Sequence, residues 1–163
     1  MNFKRVMKHS IVPHWVALRA FPAAALTKIE QAVRASEKQH DGELRFAVEA
    51  ALPFHFLRTG TRKRAEALFA ELRVWDTEHN SGVLVYVQLV DRRIEIVADR
   101  GISARVEQAE WDGICRAMEE DFKRRDFLKG TLQAIESVTR LLARHFPPRG
   151  RKHNELPDKP VVL

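Results

Sequence analysis

The stretch Val74-Trp75-Asp76-Thr77-Glu78-His79-Asn80-Ser81-Gly82-Val83-Leu84-Val85-Tyr86-Val87, with its continuation Arg93-Ile94-Glu95-Ile96-Val97-Ala98-Asp99-Arg100-Gly101-Ile102, decides the fold. A polar, acid-bearing turn feeds Val83 to Val90, a nearly unbroken apolar run of the kind found in central strands covered on both faces. Asp91-Arg92 then turns the chain back into Arg93 to Ala98. There Ile94 and Ile96 face one way, and Arg93, Glu95 and Val97 the other. So tight a turn makes the pair antiparallel.

Working outward, Leu44, Phe46, Val48 and Ala50 alternate with Arg45, Ala47, Glu49 and Ala51, which is strand periodicity, and Pro53 ends it. Between this strand and Val83, Ala65, Leu68, Phe69 and Leu72 repeat at helical spacing behind Arg62-Lys63-Arg64. A strand, a crossover helix and a second strand in one sheet form a right-handed parallel pair. Further upstream, Leu26-Thr27-Lys28-Ile29-Glu30 has the form of a capping box opening a helix that runs to about Gln39, with Asp41-Gly42 ending it. Downstream, Trp111, Ile114, Cys115, Met118 and Phe122 form one helical stripe, and Leu128, Leu132, Ile135, Val138, Leu142 and Phe146 another. Pro147-Pro148 closes the second helix. The expected fold is α/β: a small mixed sheet, with a parallel crossover pair plus an antiparallel hairpin strand, between helices over residues 22–147. A basic arm, 1–21, precedes it. The Pro-rich charged tail, 148–163, lacks the apolar spacing needed to dock firmly, so its removal is expected to leave the melting temperature nearly unchanged.

A chain of 163 residues suits one domain with a core that needs no staples. Cys115 is the single cysteine, which excludes a disulfide framework and suits a reducing, cytoplasmic setting. At an apolar helical position it reads as packing. No apolar run approaches the roughly 20 residues that span a bilayer. The net charge is +6, but its distribution matters more. Residues 1–22 hold four cations and no acid, and residues 149–163 hold four cations against two acids, so the body between them is neutral. No basic groove for specific nucleic-acid binding is encoded in the body. Weak electrostatic contact of the termini with an anionic membrane is the remaining use of that charge, with a location peripheral to the inner membrane.

The topology sorts the polar loops onto two poles. At the start of the central strand lie Asp41, Asp76, Glu78 and Asn80 and, because the third strand runs back, Asp99 and Arg100. The other pole gathers Glu49, Asp91, Arg92 and His55. Asp76, Glu78 and Asn80 alternate like the first oxygen ligands of a calcium loop, but an EF-hand needs Gly where Ser81 stands and a bidentate carboxylate where Val87 stands. What remains is a partial oxygen site completed by Asp99. Arg92, Arg93 and Arg100 are candidates for an anion, since guanidinium matches phosphate in a two-point fork. The histidines show no paired zinc spacing, and the glycines form no nucleotide loop.

From about Leu26 to Phe146 the chain resembles the TPM domain, carried by the Asn80-Ser81-Gly82 approach to the central strand and the bend Asp99-Arg100-Gly101 after the returning strand. That family includes a thylakoid lumen phosphatase of photosystem repair and bacterial proteins anchored at membranes. Typical members carry Gly-Tyr-Gly where this chain has Asp99-Arg100-Gly101. The resemblance implies a mixed sheet with helices on its faces, weak Ca2+ binding through acidic loops, and one of two roles. The first is a non-enzymatic interaction domain binding a partner protein, such as a membrane-anchored TPM homologue, in a membrane-associated or envelope-stress system. The second is a low-activity, metal-dependent acid phosphatase in which Asp76, Glu78 and Asp99 hold the metal.

Overall fold

The computed structural model describes residues 3–150 and 153–163. Its sheet contains β1 (Glu43–Glu49), β2 (Gly82–Gln88), β3 (Arg93–Ala98) and β4 (Val161–Val162), in the order β3-β2-β1-β4. β1 and β2 are parallel, with Glu43 opposite Gly82 and Glu49 opposite Gln88, and β2 and β3 are antiparallel. The expected mixed sheet is present, with its hairpin strand at the expected residues.

Alternation along the strands divides the core. Leu44, Phe46, Val48, Val83, Val85, Val87, Ile94 and Ile96 belong to one cluster. That cluster also draws on α3 (Ala23–Ser36), α6 (Gln108–Lys123) and α7 (Phe127–His145). Ala47, Leu84, Tyr86 and Val97 belong to the other, closed by Ala65 and Leu68 of α4 (Thr61–Glu71). β1 and β2 are buried at every position, which is why Val83 to Val87 reads as one apolar run. Gly82 and Gly101 allow two close approaches: an added Cβ would lie 1.9 Å from the Val74 carbonyl oxygen and 2.6 Å from that of Asn80, respectively.

Two expectations, the capping box and the undocked tail, are corrected, and the basic arm takes a definite form. The capping box at Thr27 and Glu30 is not formed: α3 begins at Ala23 behind Pro22, and the Thr27 hydroxyl donates to the Ala23 carbonyl inside the helix. A proline with fixed φ at the helix entrance starts it a turn earlier. The basic arm is ordered as α1 (Phe3–Ile11) and α2 (Trp15–Ala20), with Ala17 and the following Phe21 fully buried. Phe21 meets Phe46, Phe122 and Phe127 at centroid distances of 5.6–6.0 Å.

The tail docks as well. β4 pairs parallel to β1, the Leu163 amide donates to Val48, and the Ala50 amide donates to Leu163. Leu156 is buried, its amide donates to Glu43, and buried Asp158 accepts from Arg34. Arg45 donates to the Pro157 carbonyl. Docking needs no long apolar period here, because buried polar groups on β1 supply partners for the tail's backbone.

Candidate functional site

The arm is seated on the carboxyl end of the sheet through one turn. In Leu89–Arg92 the Arg92 amide donates to the Leu89 carbonyl, Arg92 sits at φ 53°, and the Asp91 amide donates to the Gln88 side chain at 2.6 Å. Arg5 forks onto the Asp91 carboxylate at 2.7 Å and 3.2 Å and donates to the Leu57 carbonyl. His9, also buried, accepts the Leu52 amide on Nδ1 at 2.8 Å, so Nε2 carries the proton it shares with Asp91 at 3.1 Å. Burial pushes the Asp91 carboxyl up, but hydrogen bonds from Arg5 and His9 outweigh it and hold the group below the usual aspartate range.

Two clefts open beside this seat and share Arg92. One, of about 610 Å³, lies among Lys4, Arg5, Lys8, Val90, Asp91 and Arg92. The other, of about 540 Å³, has an apolar floor of Val16, Ala20, Leu89, Phe122 and Phe127 rimmed by Arg19, Arg92, Lys123 and Arg125. Lys123 pairs with Glu120 at 2.5 Å. Among the described residues, no ion pair engages Arg19, Arg92 or Arg125. Arg92 and Arg125 both stand at positive φ, 53° and 64°, at the ends of their turns.

Below the same end of the sheet, Arg64 forks onto Glu49 at 2.9–3.1 Å and reaches Glu71 at 2.9 Å, while the Tyr86 hydroxyl donates to Glu49 at 2.5 Å. Burial first, and then the Glu49 charge, push the phenol far above its ordinary value. Arg64, Glu49 and Tyr86 are buried at α4 and serve as a structural pairing, with Glu71 at its exposed edge.

At the opposite pole, three of the four predicted oxygen donors have a side-chain partner or cap: Asp76, Asn80 and Asp99. Asp76 pairs with Arg73 at 2.5 Å, and Asn80, at φ 50°, accepts Arg100 Nε at 3.0 Å. Asp99 caps the short helix α5 (Arg100–Ser103), accepting the Arg100 amide at 2.7 Å, while the Glu78 amide donates to Glu155. The four side chains Asp76, Glu78, Asn80 and Asp99 do not converge, and among the described residues no group of three or more His, Cys, Asp or Glu is placed to hold a metal ion. Arg73, three residues before Asp76, takes that carboxylate, and the Arg100 backbone amide takes one oxygen of Asp99. A cleft of about 320 Å³ near this pole is lined by Asp41, Glu78, His79, Arg149, Gly150, His153 and Glu155, and there Asp41 faces Arg149.

The proposed anion trio is split. Arg92 precedes β3, Arg93 opens it and Arg100 follows it, so the length of the strand separates Arg100 from the other two. Arg93 turns toward Glu119 at 4.0 Å. Cys115 is half-buried among apolar neighbours, and burial, followed by the charges of Glu95, Glu119 and Asp112, pushes its thiol up to about 12. Trp75 is half exposed, with Arg73 over its ring.

Sequence reasoning missed Arg5, His9, Arg19 and Arg125. Arg5 and His9 are four apart, on the side of α1 away from Phe3, Met7 and Ile11, and that spacing was the available signal.

A four-stranded mixed sheet with α3, α6 and α7 on one face and α4 on the other defines a class of small α/β domain. The TPM domain model matches residues 19–141, and this chain belongs to the TPM domain family. Among solved structures it is similar to the BA42 protein of the psychrophilic bacterium Bizionia argentinensis, with 30% identity over 86% of this chain and 94% of that one, and a TM-score of 0.76. An N-terminal domain from P. gingivalis shares the fold at 14% identity, 88% and 96% coverage and TM-score 0.66. So does one from Corynebacterium glutamicum, at 12% identity, 82% and 81% coverage and TM-score 0.56. Among curated proteins none matches. No helix among the described residues is long and apolar enough to cross a membrane.

Proposed function

We propose that this TPM domain is a non-enzymatic interaction module whose basic-rimmed cleft receives an acidic segment of a partner protein in a membrane-associated system. The observation that carries the reading is the composition of that cleft. Four cations and no acid surround an apolar floor at the carboxyl ends of parallel strands, where open α/β sheets place their ligands. An acidic segment with one or two apolar anchors matches both rim and floor, and opposite charges speed the encounter. Fluorescence anisotropy with a labelled peptide alternating Glu and Phe tests this. Binding should weaken as salt rises, and Arg19→Glu with Arg125→Glu should lower affinity at least about tenfold. No binding, or binding indifferent to the double variant, overturns it.

One observation favours a second reading, weak Ca2+ binding at the opposite pole supporting low phosphatase activity. Asp99 Oδ2 is buried with no hydrogen-bond partner, so a cation would find one carboxylate oxygen uncommitted. Millimolar calcium should then raise the melting temperature, Asp99→Asn should remove the shift, and a chromogenic phosphate ester should be hydrolysed only with metal present. Absence of all three effects discards this reading.

A further inference from the structure

We infer that the N-terminal helix pair is a membrane-surface anchor that lays an apolar stripe into an anionic bilayer. The inference stands apart from the cleft reading, because it uses the outer face of α1 and α2 rather than the cleft floor.

The physical reason lies in how α1 is turned. A helix that packs for stability hides its apolar side. In α1 the side facing the protein carries Arg5 and buried His9, both committed to Asp91, while Phe3, Met7 and Ile11 point outward with exposures of 76%, 44% and 67%. Spaced four apart, these three form one stripe. The stripe continues onto α2 with Trp15 and Leu18, exposed by 56% and 44% and three residues apart. The 3-10 turn Phe54–Phe56, against which α1 packs, adds exposed Phe54 at 69%. The protein thus spends charged contacts on holding the helix with its apolar side out.

Charge selects the occupant. No acidic residue precedes Glu30 in the sequence, whereas Lys4 and Lys8 are exposed beside the stripe. The acid beneath α1, Asp91, is already paired with Arg5 and hydrogen-bonded to His9. Two copies meeting stripe to stripe would bring these cations together, while phosphate headgroups would pair with them. An apolar face flanked by lysine, with an aromatic residue at its edge, has the form of an interfacial helix. Trp15 supplies a ring with an N–H, the side chain favoured at the headgroup level.

The test uses the full chain and vesicles of phosphatidylcholine alone or with about one third phosphatidylglycerol, since anionic content sets the attraction. We expect flotation only with the anionic vesicles, release at high salt, and quenching of tryptophan emission by brominated acyl chains that disappears in Trp15→Phe. Met7→Ser with Ile11→Ser alters only exposed positions and should leave the circular dichroism unchanged, while weakening vesicle binding at least about tenfold. Lys4→Glu with Lys8→Glu should do the same. No flotation of the wild type, or flotation that survives both pairs, overturns the inference. So does a concentration-dependent dimer in sedimentation equilibrium that Met7→Ser with Ile11→Ser abolishes, since the stripe would then belong to a second copy.

Discussion

The two ends of the sheet hold similar stocks of charge and use them differently. At the amino end of β1 and β2, two acids of the expected oxygen site settle with sequence neighbours: Asp76 with Arg73, and Asp99 with the Arg100 amide. At the carboxyl end the partners are remote. Arg5 reaches Asp91 across 86 residues of chain, and Arg64 holds buried Glu49 from the crossover helix. Asp76 and Asp99 are held by turn chemistry, Asp91 and Glu49 by tertiary contact, so damage should stay local at the first two and spread at the second two.

The largest break in this contrast should come from Arg64→Met, which leaves the Glu49 carboxylate buried beside only Tyr86. Removing one partner of a buried pair costs about 3–5 kcal/mol, measurable as a lower urea midpoint. Deleting residues 155–163 comes next. It exposes the surface under Leu156 and strips the tail's partners from β1, a loss of about 3 kcal/mol. The melting temperature should fall by about 5–10 °C, where the sequence alone suggested almost no change.

Asp91→Asn should have a middle effect of about 2 kcal/mol by weakening two charge-assisted contacts. Its readout is faster proteolysis of the arm in the intact fold. The same contact should respond to pH. Asp91 titrates lower when folded than when unfolded, so its stabilisation is present above the unfolded value of about 4 and is lost as pH falls further. Acid titration of Trp15 emission, absent in Asp91→Asn, would show the arm lifting. The smallest effect belongs to the amino end. Asp76→Asn removes an exposed pair and should change stability by less than about 1 kcal/mol. A loss as large as that of Arg64→Met would erase the distinction between the ends.

The same contrast explains what the sequence disclosed. β2, β3 and the turn between them were legible because an unbroken apolar run, period two and Asp91-Arg92 are local signals, and α6 and α7 because their stripes repeat over many residues. β4 was hidden: two residues have no period, and only their neighbours on β1 make them a strand. Pro22 overrode the local capping pattern at Thr27 and Glu30. At the amino end the acids were found, but not the pairing of Asp76 with Arg73. At the carboxyl end Asp91 and Arg92 were placed correctly, while the arm that meets them was not, since no local rule joins Arg5 to Asp91.

Short as it is, β4 covers the backbone of the most apolar edge the sheet would otherwise present. Without Val161 and Leu163 in place, Val48 and Ala50 would show bare amides and carbonyls to solvent on a strand buried at every position. Such an edge is a template for pairing with another chain. The tail therefore guards against self-assembly: it keeps β1 from recruiting strands of its neighbours, a benefit that appears at high protein concentration rather than in any melting curve.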